Sequence, residues 1–250
     1  MVSSALTAGA FTAAPTAHAN CFSAFGLNNG NGCTSNLTTL AIAIGPGATA
    51  NAGNALFGGA IAIGNGASAL TNIAAFNFAG AFGDGAVANT LGAALGINLQ
   101  FGPGTSATLG GVLNFLLGAA APGSTGAFTN AIGFGNVVTQ IGAGTAAAIG
   151  GLNLVLGLPN GGTYQSTGAS GIANLAIQIG AGTVSTIGLL NVALSILHNG
   201  GGVQTTTVGG IGAWGLNLLG DGEAFWRRAS LRPPQTYWAR TQSPYKGCSA

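Results

Sequence analysis

Charge is what this chain has least of. Charged residues make up 3% of its 250 residues, against about 25% in an ordinary soluble domain. All five basic residues, Arg227, Arg228, Arg232, Arg240 and Lys246, lie beyond position 225. From Met1 to Gly220 the one formally charged side chain is Asp84, so the net charge of +2 belongs to the C-terminal end and not to the body. A nucleic acid binds a basic face that neutralises its phosphates; the body has none, which excludes that partner. Catalysis is narrowed in the same way. Glycosidic cleavage generally takes two carboxyl groups flanking one bond, and the body offers Asp84 alone, in a turn slot. His198, in His198-Asn199-Gly200-Gly201, is the single candidate general base of the body and has no acidic neighbour in sequence. His18 lies in the N-terminal leader. A thiol metal site would need further Cys or His ligands beside Cys21 and Cys33. The expectation is a protein that is not an enzyme, with no catalytic residue, no cofactor site and no metal site.

Long hydrophobic runs are missing too. The most apolar stretches, Thr108–Ala121 and Thr183–Leu197, run 14 and 15 residues and are broken by Gly and Asn, short of the roughly 20 a spanning helix wants. A transmembrane β-barrel would need turn-separated strands of about ten residues with charged or polar lumens, and the charge is absent. Helices in general are disfavoured. Gly accounts for 47 of 250 residues, and each costs about 1 kcal/mol against Ala inside a helix. Low charge with abundant Gly can also mean disorder, but disorder requires low hydrophobicity, and Ile, Leu, Val and Phe are plentiful.

What is present is a repeat. Ala41-Ile42-Ala43-Ile44-Gly45-Pro46-Gly47 returns as Ala60-Ile61-Ala62-Ile63-Gly64-Asn65-Gly66, as Ala79-Gly80-Ala81-Phe82-Gly83-Asp84-Gly85 and as Asn98-Leu99-Gln100-Phe101-Gly102-Pro103-Gly104, each 19 residues after the last. Gln140-Ile141-Gly142-Ala143-Gly144-Thr145 recurs 38 residues later as Gln178-Ile179-Gly180-Ala181-Gly182-Thr183. Turn positions at 45, 64, 83, 102, 121, 142, 161, 180, 199 and 220 give ten units with two small insertions. A fixed period of this size marks a solenoid. The repeat-turn glycines are Gly45, Gly47, Gly64, Gly66, Gly83, Gly85, Gly102, Gly104, Gly142, Gly144, Gly180 and Gly182, placed where a tight turn needs positive φ.

Alternation within each unit has period two, which means strand. A second run of small residues follows the turn (Ala67-Ser68-Ala69, Thr105-Ser106-Ala107), then a segment with larger groups such as Ala55-Leu56-Phe57. The fold expected is all-β: a parallel β-solenoid of about ten 19-residue coils, handedness open, forming a rod of about 50 Å at the strand spacing. Stacking explains the missing charge, because like charges repeated coil on coil repel. The large residues Ile44, Ile63, Phe82 and Phe101, and likewise Ile141 and Ile179, are expected to form inward columns. Asn153 and Asn191, 38 apart, read either as an internal amide ladder or as turn residues.

The expected organisation has four parts. Residues 1–19 read as a signal-peptide remnant ending in Ala17-His18-Ala19, cut before Asn20; a disordered Ala/Thr-rich leader is the other reading. Residues 20–36 form a cap closed by a Cys21–Cys33 disulfide, worth about 3 kcal/mol through loop closure, that blunts the first strand edge. Residues 37–222 are the solenoid. Residues 223–250 are an aperiodic basic and aromatic tail with an unpaired Cys248, readable as a cap, an attachment segment or an out-of-frame end.

The segments 41–50 and 60–69, Ala-Ile-Ala-Ile-Gly-x-Gly-Ala-x-Ala, resemble the head repeats of trimeric autotransporter adhesins, which form parallel β-rolls on bacterial surfaces, although those heads use a shorter unit and carry a coiled-coil stalk and membrane anchor. The Ile-Gly-x-Gly-Ala pattern is also similar to left-handed hexapeptide helices, and the composition is similar to glycine-rich exported proteins of mycobacteria. These resemblances imply a secreted or cell-surface repeat protein. The function expected is that of a non-catalytic structural or adhesive rod. Two alternatives stand beside it: an outer-membrane-associated envelope protein, or a flat-faced carbohydrate- or ice-binding solenoid suggested by Thr145, Thr183 and Thr205-Thr206-Thr207. The partner is unknown; contact with an envelope or host surface, and self-association through solenoid edges, are both open to such a rod.

Overall fold

The computed structural model describes residues 20–29, 32–158, 165–196, 204–218 and 222–229. Three short strands come first: β1 (Cys21–Ala24), β2 (Leu27–Asn28) and β3 (Cys33–Thr34). The rest alternates short and long strands in pairs. These are β4 (Leu40–Ile44) with β5 (Thr49–Leu56), β6 (Gly59–Ile63) with β7 (Ser68–Ala75), and β8 (Phe78–Phe82) with β9 (Ala86–Ala94). Then come β10 (Ile97–Phe101) with β11 (Gly104–Val112), β12 (Phe115–Ala119) with β13 (Ala127–Phe134), and β14 (Val137–Ile141) with β15 (Gly144–Gly151). The last are β16 (Leu154–Leu158) with β17 (Gln165–Ile172), β18 (Leu175–Ile179) with β19 (Gly182–Leu189), β20 (Val192–Ile196) with β21 (Gln204–Ile211), and β22 (Trp214–Leu218) with β23 (Gly222–Ala229).

Short strands stack only on short strands and long on long, all parallel from β4 onward, giving a 12-stranded and an 11-stranded sheet face to face. The chain is a parallel β-solenoid with two walls per coil. The small-residue run and the segment after it, read separately from sequence, form one long strand. Short strands begin at 40, 59, 78, 97, 115, 137, 154, 175, 192 and 214. Coil lengths are therefore 19, 19, 19, 18, 22, 17, 21, 17 and 22. The 38-residue spacing seen in the sequence is a short coil plus a long one. Pairing runs on through β23, seven residues into the stretch expected to be tail.

Both entry edges are covered. β1 lies antiparallel on β4, and β3 pairs with β5. The Cys21–Cys33 disulfide joins β1 to β3, and so ties one wall to the other at the first coil. Both cysteines are buried.

The expected inward columns point the other way. Ile44 pairs with Ile63, Ile63 with Phe82, and Phe82 with Phe101, so the column exists. But Ile44, Ile63, Phe101 and Ile141 are 45, 38, 41 and 48% exposed. What faces inward is alanine: Ala41, Ala43, Ala60, Ala62, Ala79 and Ala81 from one wall, Ala50, Ala69 and Ala88 from the other. The corners are short. Two residues (57–58) lead from β5 to β6 and four (45–48) from β4 to β5. Where alanine faces alanine across the interior, Ile or Phe on the inward parity would overpack it. Alternation then fixes the parity of the whole strand. In later coils Leu116, Val138, Val155, Val184 and Val208 enter this interior.

Each wall-to-wall corner has its own chemistry. After the short strands come the Gly-x-Gly corners; all twelve glycines named above have positive φ. In the first three coils the corner closes on itself: Ala48, Ala67 and Ala86 donate to the carbonyls of Gly45, Gly64 and Gly83 at 3.2, 3.4 and 3.3 Å. After the long strands comes a residue in the left-handed region, followed in most coils by a buried Asn. These asparagines form a ladder. The Nδ2 groups of Asn136, Asn153 and Asn174 donate to Oδ1 of Asn114, Asn136 and Asn153 at 3.1, 3.0 and 3.1 Å. The backbone N–H of Asn191 then donates to Asn174 Oδ1 at 2.9 Å. Asn153 and Asn191 are thus both turn residues and rungs of an internal ladder. Beside them Gly111, Gly133, Gly150, Gly171, Gly188 and Gly210 stack backbone on backbone. A methyl on Gly150 would sit 2.0 Å from the Gly171 carbonyl oxygen.

Candidate functional site

With the interior filled by small and amide side chains, the large apolar residues are left outside. On the short-strand wall they form three outward columns. The middle one runs Ile42, Ile61, Gly80, Leu99, Leu117, Thr139, Leu156, Ile177, Leu194 and Leu216. The flanking columns include Phe78, Ile97 and Val137 on one side and Ile44, Phe82 and Ile179 on the other. Thr139 is the one polar side chain among the described outward positions of this wall. The face is also level. At Gly80 the rings of Phe78 and Phe82 and the Leu99 side chain lean in, so that a built Cβ would meet them at 3.1, 2.6 and 2.9 Å. The Phe82 and Phe101 rings stack with centroids 5.1 Å apart.

An apolar ridge borders this face along the left-handed corner. Phe57, Phe76, Leu95, Leu113, Leu152 and Leu190 have φ between 50 and 59°, and each is more than half exposed. A bulky residue in that conformation costs about 1 kcal/mol relative to Gly. Gly135 and Gly212 occupy the same corner in two coils, so the geometry does not require a side chain there. Phe57 and Phe76 stack at 5.2 Å.

The long-strand wall differs. Its outward positions mix Thr, Ser and Asn with apolar residues. Thr145, Ser166, Thr183 and Thr205 stand in one column on four successive strands, with Ser185 and Thr207 paired in the next. Register shifts between β5 and β7 accompany an open groove lined by Leu56, Ile73, Ala75, Ala94 and Val112.

The residues that sequence reading weighed for chemistry lie apart. Asp84 is exposed at its corner, and its Oδ1 accepts the Asn65 backbone N–H of the preceding coil at 2.8 Å; that bond ties adjacent turns. Among the described residues no three of His, Cys, Asp and Glu come close enough to hold a metal. His18, His198 and Cys248 lie outside the described residues. What sequence reading missed is the second corner. The spacing Gly-x-x-Asn recurs at 111–114, 133–136, 150–153, 171–174 and 188–191, and it marks the glycine stack with its amide ladder. No family model, curated protein or solved structure matches this chain.

Proposed function

We propose that this chain is a non-catalytic structural or adhesive rod of the exported, cell-surface class, and that the outer face of the short-strand wall is its working surface. The carrying observation is that face: three level columns of Ile, Leu, Val and Phe, with one polar side chain among the described positions. Monomeric soluble proteins rarely leave contiguous apolar patches above a few hundred Å² uncovered, and larger ones mark interaction sites. The Cys21–Cys33 bridge supports an oxidising compartment, in keeping with the export signal read in residues 1–19. A body whose one formal charge is Asp84 favours contact with neutral, apolar surfaces over charged polymers.

Two measurements test this reading. Antibody labelling of intact native cells, set against fractionated lysate, should find the protein at the surface with Cys21 and Cys33 oxidised; a cytosolic pool with both thiols alkylatable overturns it. Adsorption of the purified chain should be strong on an alkylated sensor surface and weak on a hydroxylated one. The hydroxyl columns favour a second reading, binding to a flat polysaccharide. Co-sedimentation with crystalline cellulose or chitin, lost on Thr183→Lys, would support it.

A further inference from the structure

We infer that the outer face of the short-strand wall is covered by a second copy of this chain, packed wall to wall. The inference rests on the working surface just proposed and names what first occupies it. Three observations carry it. The first is size. Nine strand steps of about 4.8 Å by five residues of about 3.3 Å give a plane of ~700 Å², close to the ~800 Å² per partner that a stable interface buries. The second is shape. The face is flat and regular, its columns repeat at the strand spacing, and the Gly80 dent is filled by its own neighbours. Two such faces related by a two-fold axis match row for row, as paired sheets do. The third is composition. The wall carries no charged side chain to oppose a like surface. Against a lipid surface a protein normally anchors with Trp, Tyr, Lys and Arg, and on the short strands Trp214 alone is of that kind. The long-strand wall also exposes apolar residues, such as Phe128, Ile149 and Ile187, but interleaves them with Thr, Ser and Asn, so it offers no unbroken apolar plane to a second copy.

The experiment weighs the full chain by light scattering after size exclusion and by sedimentation velocity. The expected mass is twice the 24.0 kDa of the chain. Ile63→Lys with Ile141→Lys, both already more than a third exposed, should halve the mass while the β circular dichroism is retained. Ser185→Lys on the opposite wall should leave the dimer intact. A second readout does not depend on weakening the face. In a Cys248→Ser background, Leu117→Cys, in the middle column near the central strand, should cross-link copy to copy with a short bis-maleimide, and Ser185→Cys should not. A monomeric wild type, or a dimer indifferent to the paired lysines, overturns the inference; so does a monomer that floats with phosphatidylcholine vesicles, since the face then meets lipid. The outcome is independent of where the protein resides. A failed dimer leaves the surface-rod reading standing, and a cytosolic location leaves the dimer standing.

Discussion

Asn153 offers the sharpest test of how the corners are held. Its side chain is buried and fully used. Nδ2 donates to Asn136 Oδ1 at 3.0 Å, to the Ile149 carbonyl at 3.3 Å and to the Gly171 carbonyl at 3.1 Å. Oδ1 accepts the backbone N–H and Nδ2 of Asn174, both at 3.1 Å. Asn153→Ala strands the Asn174 N–H inside the protein, where an unsatisfied donor costs about 1–3 kcal/mol, and deletes four further bonds of modest net worth. The sum expected is ~3–5 kcal/mol. Asn153→Asp should cost more, since the replaced amide would set a carboxylate oxygen against the Ile149 and Gly171 carbonyls. Asn51→Ala is the control: exposed, and accepting one bond from Gly53 N–H at 3.0 Å. In a repeat protein the loss is local, so hydrogen exchange read peptide by peptide is the better assay than a melting temperature alone. Protection should fall most in residues 137–158 and 165–179. If Asn153→Ala and Asn51→Ala exchange alike, the ladder does not hold this corner and the reasoning fails.

Other outcomes follow from the same contacts. Gly171→Ala places a methyl 1.9 Å from the Gly188 carbonyl oxygen at φ 110°, so it should cost several kcal/mol in chemical denaturation, as backbone clashes with positive φ do. Gly118→Ala puts a methyl 2.0 Å from Gln100 Oε1; it should destabilise alone and be partly rescued by Gln100→Ala in a double-mutant cycle. Ile63→Asp lies on the outer face, so the stability of monomeric protein should move by under about 1 kcal/mol, and a large loss measured under monomer conditions would refute the outward assignment. Reducing Cys21–Cys33 should cost ~3 kcal/mol, seen as faster exchange confined to β1, β3, β4 and β5. Deleting one coil, Gly59 to Asn77, should preserve the β spectrum, whereas deleting ten residues there should not.

The coil, its parallel stacking, the Gly-x-Gly corners and the disulfide were legible because each repeats a local signal that short-range chemistry dictates. The direction of the walls was not. In Ala41-Ile42-Ala43-Ile44 both alternating positions are apolar, so periodicity shows that there are two faces and leaves open which one is inside. The usual preference for burying the larger residue then points the wrong way. What decides is the space inside, where both walls present small side chains to each other, a property of two strands taken together. The candidate face was hidden by the same ambiguity: its residues were visible, and their exposure was not.

Coil length and interior chemistry are coupled, and the coupling explains the 38-residue period. Gln100, Gln140 and Gln178 are buried in coils of 18, 17 and 17 residues, whose corners (Gly102-Pro103, Gly142-Ala143, Gly180-Ala181) have only two residues between strands. A corner so short turns carbonyls toward the interior. Gln100 Nε2 donates to Gly102 and Pro103 at 3.3 and 3.2 Å, and Gln178 Nε2 to Gly180 and Ala181 at 3.4 and 3.3 Å. The amide that serves the corner is bulky, so the next coil has a small residue in register. Gly118 pairs with Gln100 and Gln140, and Ser195 with Gln178. That next coil has no amide to offer, and its corner is longer. Ala120–Gly126 turns with its own Ser124 N–H to Ala121 carbonyl bond at 3.2 Å. In the alanine coils at the start, the corner of three or four residues closes on itself in the same way, no glutamine is present, and the length stays at 19. The small interior that allows this economy of corners is also what sends Ile, Leu and Phe to the outside. The apolar face is therefore a consequence of how the coils close, and a second copy gives it the burial that the interior does not.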